Sequence, residues 1–289
     1  MRNSFDSGLV NAALITLPGR WRGVEFHAAL PSTNETIRTR PSPSTSRPAP
    51  YGASGPPHDP DLWRVVLTDH QTGGRGRLGR GWQVPDRAAI AMSVTVPVAG
   101  PDELPWVPLL AGLALSRAIN ATTATVGAPL TPRLKWPNDV LLAEDEDRKV
   151  SGILCEYVAG DGRPHVVIGT GINIDQTRGE LPVPTATSLR LAGAQVPREE
   201  LVIAYLAELG RLFAPEATDE REAGTAAYRR LCSTLGLRVR VHLPGGATVD
   251  GDAVGIGPGA ELLVRTEEGE RAFAAGDVVH VRRPTGGLA

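Results

Sequence analysis

The sequence predicts an α+β protein in which helices back a β-sheet and a small β-barrel follows. Three observations lead there. Apolar residues alternate at a period of two in several runs between residues 62 and 174, and two other runs keep helical spacing. Beyond Leu235 only short alternating runs remain, separated by glycine turns. A chain of 289 residues with 41% hydrophobic content is long enough for one large domain and one small one.

Thr39 to Pro60 is crowded with Pro, Ser and Gly and has no apolar periodicity, so residues 39–60 read as an exposed loop insertion. Leu62 to Thr68 and Ala89 to Val98 read as strands, the second alternating through Ile90, Met92, Val94 and Val96. Pro105 and Pro108 suit the first turn of a helix running to about Asn120, with Trp106, Leu109, Leu110 and Leu113 at helical spacing. Strand signals return at Val140 to Leu142, Val150 to Val158 and Val166 to Ile174, with an acidic turn at Glu144 to Asp147. Pro197 to Phe213 is a second helix, with Glu199 and Glu200 in its first turn and Leu201, Tyr205, Leu209 and Leu212 along one face. A weaker helix spans Asp219 to Cys232.

From Leu237 the residues Leu237, Val239, Val241 and Leu243 alternate with Arg238, Arg240 and His242. Pro244-Gly245-Gly246, Gly257-Pro258-Gly259 and Glu267-Glu268-Gly269 then punctuate short strands at barrel-like intervals. The boundary falls near Leu235, dividing the chain into 1–234 and 235–289.

A formal net charge of -2 provides no global basic field, so attraction to nucleotides has to come from local clusters of arginine and lysine. The two cysteines, Cys155 and Cys232, lie far apart without a CxxC or a histidine cluster. That argues against a disulfide framework or zinc site and for a reduced, cytoplasmic protein. No run reaches the roughly 20 uninterrupted apolar residues of a membrane helix, and no secretory signal is evident at the N-terminus.

Five motifs carry chemistry. In His70 to Trp82, glycines alternate with Arg75, Arg77 and Arg80 between two strands. Glycine lets backbone N–H groups approach an anion, and arginine presents a charged fork, so this loop is suited to anions. It is neither a GxxxxGK[ST] phosphate loop nor a dinucleotide fingerprint, which needs a helix next. Lys135-Trp136-Pro137-Asn138-Asp139 packs a cation, an amide and a carboxylate around a proline; alone it is compatible with an ordinary turn. Lys149-Val150-Ser151-Gly152-Ile153-Leu154 places a lysine at the entry of an apolar strand whose glycine lets a flat ligand lie against the backbone. Gly169-Thr170-Gly171-Ile172-Asn173 ends a valine-rich strand in an amide. Pro31-Ser32-Thr33-Asn34-Glu35 groups small hydrogen-bonding side chains, with Thr33 as a helix N-cap candidate.

Together and in this order, the five motifs resemble the catalytic domain of biotin protein ligases, from about Trp21 to Arg230. The resemblance implies a mixed β-sheet backed by helices, followed by an SH3-like β-barrel. It implies that Ser32, Thr33, Asn34, Gln71 and the backbone at Arg75, Gly76 and Arg77 bind the ureido ring and tail of biotin. Lys149 would reach the biotin carboxylate and then the adenylate, with Gly152 and Leu154 walling a thin apolar slot. Arg77, Arg80 and Lys135 would take the phosphates of ATP, and Trp82 would lie against the nucleotide. Asn138 and Asn173 would lie near the adenine or ribose. Asp139 would hold Mg2+ or act as a base.

The implied chemistry is formation of biotinyl-5'-AMP from biotin and ATP. Transfer to a lysine of the biotin carboxyl carrier domain of an acyl-CoA carboxylase follows. The biotin carboxylate is already ionised at neutral pH, so the task is to bring anions together, and no Ser/His/Asp constellation is needed. The Gln71 to Gly81 loop is expected to be mobile when empty and to close over the intermediate. About 30 residues precede Ser32, too few for the helix-turn-helix domain of some family members, so no DNA binding is expected; whether the chain is a monomer or a homodimer is left open. Two rival readings are a lipoate or octanoate ligase of the same fold and a nucleic-acid-binding module that uses the arginine loop and the Arg238 to Arg240 strand.

Overall fold

A computed structural model describes residues 2–39, 62–82, 85–98, 100–159, 164–243 and 245–281. The expected insertion, apart from Thr39, lies outside the described residues. In chain order, α1 (Ser7–Ala13) is capped by Asp6, whose carboxylate accepts from the N–H groups of Gly8 and Leu9. β1 (Val24–His27) leads to α2 (Thr33–Thr39) and β2 (Val65–Thr68). The cap of α2 is Ser32 and not Thr33: the Ser32 carbonyl accepts from Thr36 N–H at 3.0 Å and its hydroxyl from Glu35 N–H at 3.4 Å. Thr33 is instead the buried first residue of the helix.

β3 (Gly74–Arg75) and β4 (Gly81–Trp82) form a short antiparallel ribbon, and β5 (Ala89–Pro97) follows. The turn that the prolines announce is a 3-10 turn, Pro101–Trp106, feeding α3 (Val107–Thr125). Pro108 sits in the first turn of α3, where a missing N–H costs nothing. The helix runs past Asn120 to Thr125, and Thr122 and Thr123 satisfy their hydroxyls within it on the carbonyls of Ala118 and Ile119, at 2.8 and 2.7 Å. Pro101–Thr125 is long and apolar enough to cross a membrane, yet 67% of its most apolar window is buried against the rest of the fold, so core packing accounts for its composition.

β6 (Pro132–Lys135), β7 (Asp139–Leu142), β8 (Arg148–Val158) and β9 (His165–Asn173) complete the large sheet, and α4 (Arg198–Phe213) and α5 (Thr218–Leu231) close the core. The sheet has seven strands in the order β1-β2-β5-β9-β8-β7-β6. β1 and β2 are parallel and every other pair is antiparallel, so the sheet is mixed.

Its two faces can be read from the alternation. Val65, Leu67, Ile168 and Ile172 join the main core with α3 and α4, whereas Val66 and Val167 join a smaller cluster with Leu30 and Ile37 beside α2. Strands covered on both faces are apolar throughout, which explains why β2 and most of β5 are buried at every position. The face shared with α2 is the one that carries the cleft.

The chain then builds a second sheet from β10 (Arg238–His242), β11 (Thr248–Ile256), β12 (Leu262–Thr266), β13 (Gly269–Phe273) and β14 (Asp277–His280). It is five-stranded and antiparallel, in the order β13-β12-β11-β10-β14, around Val239, Val241, Leu262, Val264, Phe273 and Val278. Two indoles dock it. Trp106 Nε1 donates to the Pro258 carbonyl at 2.7 Å, and the buried Trp136 donates to the Ala260 carbonyl at 2.9 Å. Arg229 lies 4.9 Å from the Trp106 ring and donates to the Ile256 carbonyl at 3.1 Å. The β11–β12 turn is thereby held on the large domain, next to the Lys135 to Asp139 run.

Candidate active site

Strand register sets the floor of the cleft. Ala91 pairs with Gly171, Gly171 with Gly152, and Gly152 with Asp139, so a row of small residues crosses β5, β9, β8 and β7 and ends at a carboxylate. A second row runs Ser93, Gly169, Leu154. The absent side chains leave a trough in the sheet, and it opens into a cleft of about 1110 Å³. Trp82 lies along this floor. A Cβ on Gly171 would stand 2.5 Å from its Nε1, and one on Gly152 would stand 3.3 Å from its ring and 3.0 Å from the Lys149 ammonium. Trp82 therefore occupies the glycine floor itself.

One end of the trough is lined by hydrogen-bonding groups. The Gln71 amide oxygen accepts from Thr33 N–H at 3.0 Å and lies 3.3 Å from the Thr33 hydroxyl. Ser93 Oγ donates to Asn34 Oδ1 at 2.6 Å and lies 2.7 Å from Thr33 Oγ1. Asn34 Nδ2 donates to Glu156 at 2.6 Å, and Arg38 holds the other oxygen of that carboxylate at 2.8 Å. The chain brings these segments together through backbone bonds, Thr72 N–H to Leu30 O and Gly73 N–H to Pro31 O, both 2.9 Å. Ser32, Thr33, Asn34, Gln71, Arg75, Gly76 and Leu154 all line the cleft.

The other end is cationic. The Lys149 ammonium pairs with Asp139 at 2.6 Å and stands 5.7 Å from the Trp82 ring centre. Lys135 and Asp139 are cross-strand partners across the β6–β7 hairpin, whose turn contains a cis Trp136-Pro137 bond. Burial pulls the Lys135 ammonium below its ordinary pKa, opposed by the Asp139 charge. Burial likewise lowers Arg77, with Asp277 and Asp139 working against it. Arg77 donates to Asn138 Oδ1 at 3.2 Å, and Asn138 in turn donates to the Ile153 carbonyl at 2.7 Å. In the loop, Gly76 N–H closes on Arg80 O at 2.6 Å around a 3-10 turn, with Gly79 in the left-handed region at φ 72°.

One expectation changes in detail. Asn173 borders the cleft, but its amide donates to Thr187 O at 2.9 Å and accepts from Gln176 at 2.7 Å, so its polar atoms serve the protein. Trp136, to which the sequence assigned no role, is buried and tethers the second sheet through its indole. Sequence reasoning missed Glu156 at the polar end, the buried Ser93 that holds Thr33 and Asn34 from beneath, and His242, Asp277, Val278 and Val279, through which the second sheet reaches the cleft. No local pattern announces them. Among the described residues no cluster of three or more His, Cys, Asp or Glu could hold a metal by itself. The Arg238 to Arg240 strand is not a free basic surface either, because Arg240 pairs with Asp250 at 2.6 Å and Arg238 faces Asp252 at 3.8 Å.

Comparison with known proteins bears on this geometry. Residues 58–173 match the Biotin/lipoate A/B protein ligase family, and residues 234–281 match the Biotin protein ligase C terminal domain. The chain is 35% identical to a biotin--[acetyl-CoA-carboxylase] ligase of Mycobacterium tuberculosis, over 98% of each chain. It is 30% identical to the bifunctional ligase/repressor BirA of Bacillus spizizenii, over 74% of this chain and 65% of that one. Among solved structures it resembles the biotin protein ligase of Aquifex aeolicus in complex with biotin and ATP. The TM-score is 0.66 and the identity 25%, over 91% of this chain and 100% of that one.

Proposed function

The chain belongs to the biotin protein ligase family, and from that premise we propose that it makes biotinyl-5'-AMP from biotin and ATP and passes biotin to a lysine of a carboxyl carrier domain of an acyl-CoA carboxylase. The observation that carries this reading is the glycine floor of Gly171 and Gly152, polar at the Thr33, Asn34 and Gln71 end and cationic at the Lys149, Lys135, Arg77 and Arg80 end. A flat ring with a ureido group suits the polar end, and a tail carboxylate meeting a triphosphate suits the cationic one.

In the first step a biotin carboxylate oxygen attacks the α-phosphorus and pyrophosphate leaves. Lys149, Lys135, Arg77 and Arg80 offset the repulsion between the anions and steady the charge that develops in transit. In the second step a carrier lysine nitrogen attacks the acyl carbon and AMP leaves. Asp139, which pairs with Lys149 at 2.6 Å, would accept the amine proton. Magnesium needs only one or two protein carboxylates when it arrives on phosphates, and Asp139 fits that role; bound there, it would screen phosphate charge. We assign the large domain to 1–234 and the small one to 235–289, with Asp277 of the latter facing the loop arginines.

A lipoate or octanoate ligase would want an open apolar tube in place of the Asn34–Glu156 and Thr33–Gln71 pairs. The deciding assay is biotin-dependent exchange of labelled pyrophosphate into ATP, followed by labelling of a purified carrier domain, with lipoate and octanoate as competitors. Exchange supported by octanoate but not biotin would overturn the proposal.

A further inference from the structure

Lys149 stands at the start of β8, paired with Leu141 of β7 on one side, and its other backbone edge is held by a segment outside the sheet. Its N–H donates to Thr185 O and its carbonyl accepts from Thr187 N–H, both at 2.8 Å, forming a parallel bridge opposite Ala186. The 184–187 segment that provides these bonds belongs to no helix or sheet strand and needs an anchor of its own. Its contacts converge on one carboxylate. Asp145 accepts from the hydroxyl of the fully buried Thr187, from Arg148 at 2.6 Å and from Arg178 at 2.8 and 3.0 Å. The two arginines reach on to the same segment, Arg148 Nε to Pro184 O at 2.9 Å and Arg178 to Ala186 O at 3.0 Å.

Asp145 is only 12% exposed, although it lies in a turn on the outside of the sheet. The turn carries two successive non-glycine residues in the left-handed region, Glu146 at φ 56° and Asp147 at φ 55°. Such a conformation persists where surrounding bonds over-determine it. Thr187 also accepts from Asn173 through its carbonyl at 2.9 Å, so the knot joins the start of β8 to the end of β9.

We propose that Asp145 is a positioning residue. By locking Thr187 and the 184–187 segment beside the start of β8, it fixes where Lys149 presents its ammonium in the cleft. This rests on the ligase reading of Lys149, and Asp145 itself touches no substrate.

The test compares Asp145→Asn, Thr187→Val, the double variant and Thr187→Ser with the full chain. Two readouts are used: biotin-dependent ATP–pyrophosphate exchange, and amide hydrogen exchange at Lys149 and Thr187. We expect Asp145→Asn and Thr187→Val each to lower kcat about tenfold with KM for ATP and biotin shifting less than about twofold, and to speed exchange at Lys149 and Thr187 but not along β5. The double variant should be no worse than the single ones, and Thr187→Ser, which keeps the hydroxyl, should behave as wild type. Wild-type kcat in Asp145→Asn, or unchanged protection of the Lys149 amide, would overturn the proposal. If the unaltered chain shows no biotin-dependent exchange, the ligase reading fails, and amide protection still decides whether Asp145 anchors Lys149.

Discussion

Asp277 holds Arg80 at 2.5 Å and lies 3.8 Å from Arg77, so a carboxylate from the C-terminal sheet sits between two arginines of the glycine-rich loop. Arg77 is also tied to Gly276 O at 3.0 Å. The loop that sequence reasoning treats as a free lid is therefore tethered across the domain boundary. The Arg80 side chain is 63% exposed, so its ion pair contributes about 0–1 kcal/mol, at most a fewfold change in local opening. Asp277→Asn should raise amide exchange across residues 74–81 by about two- to fivefold and leave β9 unchanged. Identical loop protection in the variant would show that the tether carries nothing.

The trough depends on missing side chains: a Cβ on Gly169 would meet the Asn34 amide and one on Gly171 the Trp82 indole. Overpacking of this kind costs about 1–3 kcal/mol, and here the strain falls on the Trp82 indole and the floor it covers. Gly171→Ala is expected to weaken biotin binding by about five- to a hundredfold in calorimetric titration while the chain still folds. Wild-type affinity would mean that the ligand does not use this floor.

The contrast between what the sequence disclosed and what it hid has a physical origin. β5, β8, β9, α3 and α4 carry their periodicity locally, and the glycine and arginine loop carries its chemistry locally, so both were legible. β1, Val24–His27, is four half-buried residues at the edge of the sheet and shows no alternation worth reading. Ser93 and Glu156 meet Asn34 only because β5 and β8 flank β9, a pairing no nearby residue encodes. Asp277 meets Arg80 across a separate sheet, and Asp145 acts through a chain of hydrogen bonds to a segment 42 residues away. Trp136 sits inside a run that looks chemical, yet its indole serves domain docking.

Lys149 and Asp139 form the pair on which the proposed chemistry turns, and their side chains are 33% and 20% exposed. Partial exposure means that the pair is not a pillar of the fold, so its variants should report on chemistry. Lys149→Ala is expected to lower biotinyl-AMP formation by about a hundredfold or more, the scale of losing one preorganised electrostatic contact. Asp139→Asn separates two roles. Slowed adenylation with normal transfer from preformed biotinyl-AMP to a carrier would leave only a metal-holding role, whereas slowed transfer supports proton acceptance. Near-normal adenylation in Lys149→Ala would refute the assignment of that lysine.

His280 supplies a pH test of the domain junction. Its Nε2 lies 3.2 Å from Thr234 Oγ1, and that oxygen accepts from Trp136 N–H at 3.2 Å. The Thr234 hydroxyl can donate to an unprotonated Nε2 of a neutral ring, in competition with the neighbouring Cys232 sulfur. Burial, with the Lys135 charge adding to it, lowers the His280 pKa to about 4 from 6.5. Between those values the unfolded chain binds the proton that the folded chain refuses, so stability falls as pH drops from 6.5 toward 4 and is unaffected by this group above 6.5. The loss is on the order of 2 kcal/mol after allowance for partial solvent access. Glu180, lowered to about 2 by its hydrogen bonds from Arg2 and Thr177, acts with the same sign but in a more acidic window, losing its contribution only as pH falls below 4.5. Urea midpoints at pH 7.5 and pH 5 should therefore isolate the histidine. His280→Gln is expected to narrow the gap between the two midpoints, because glutamine can accept from Thr234 without titrating. A variant that loses as much stability as the wild type over this interval would show that the histidine does not set the slope.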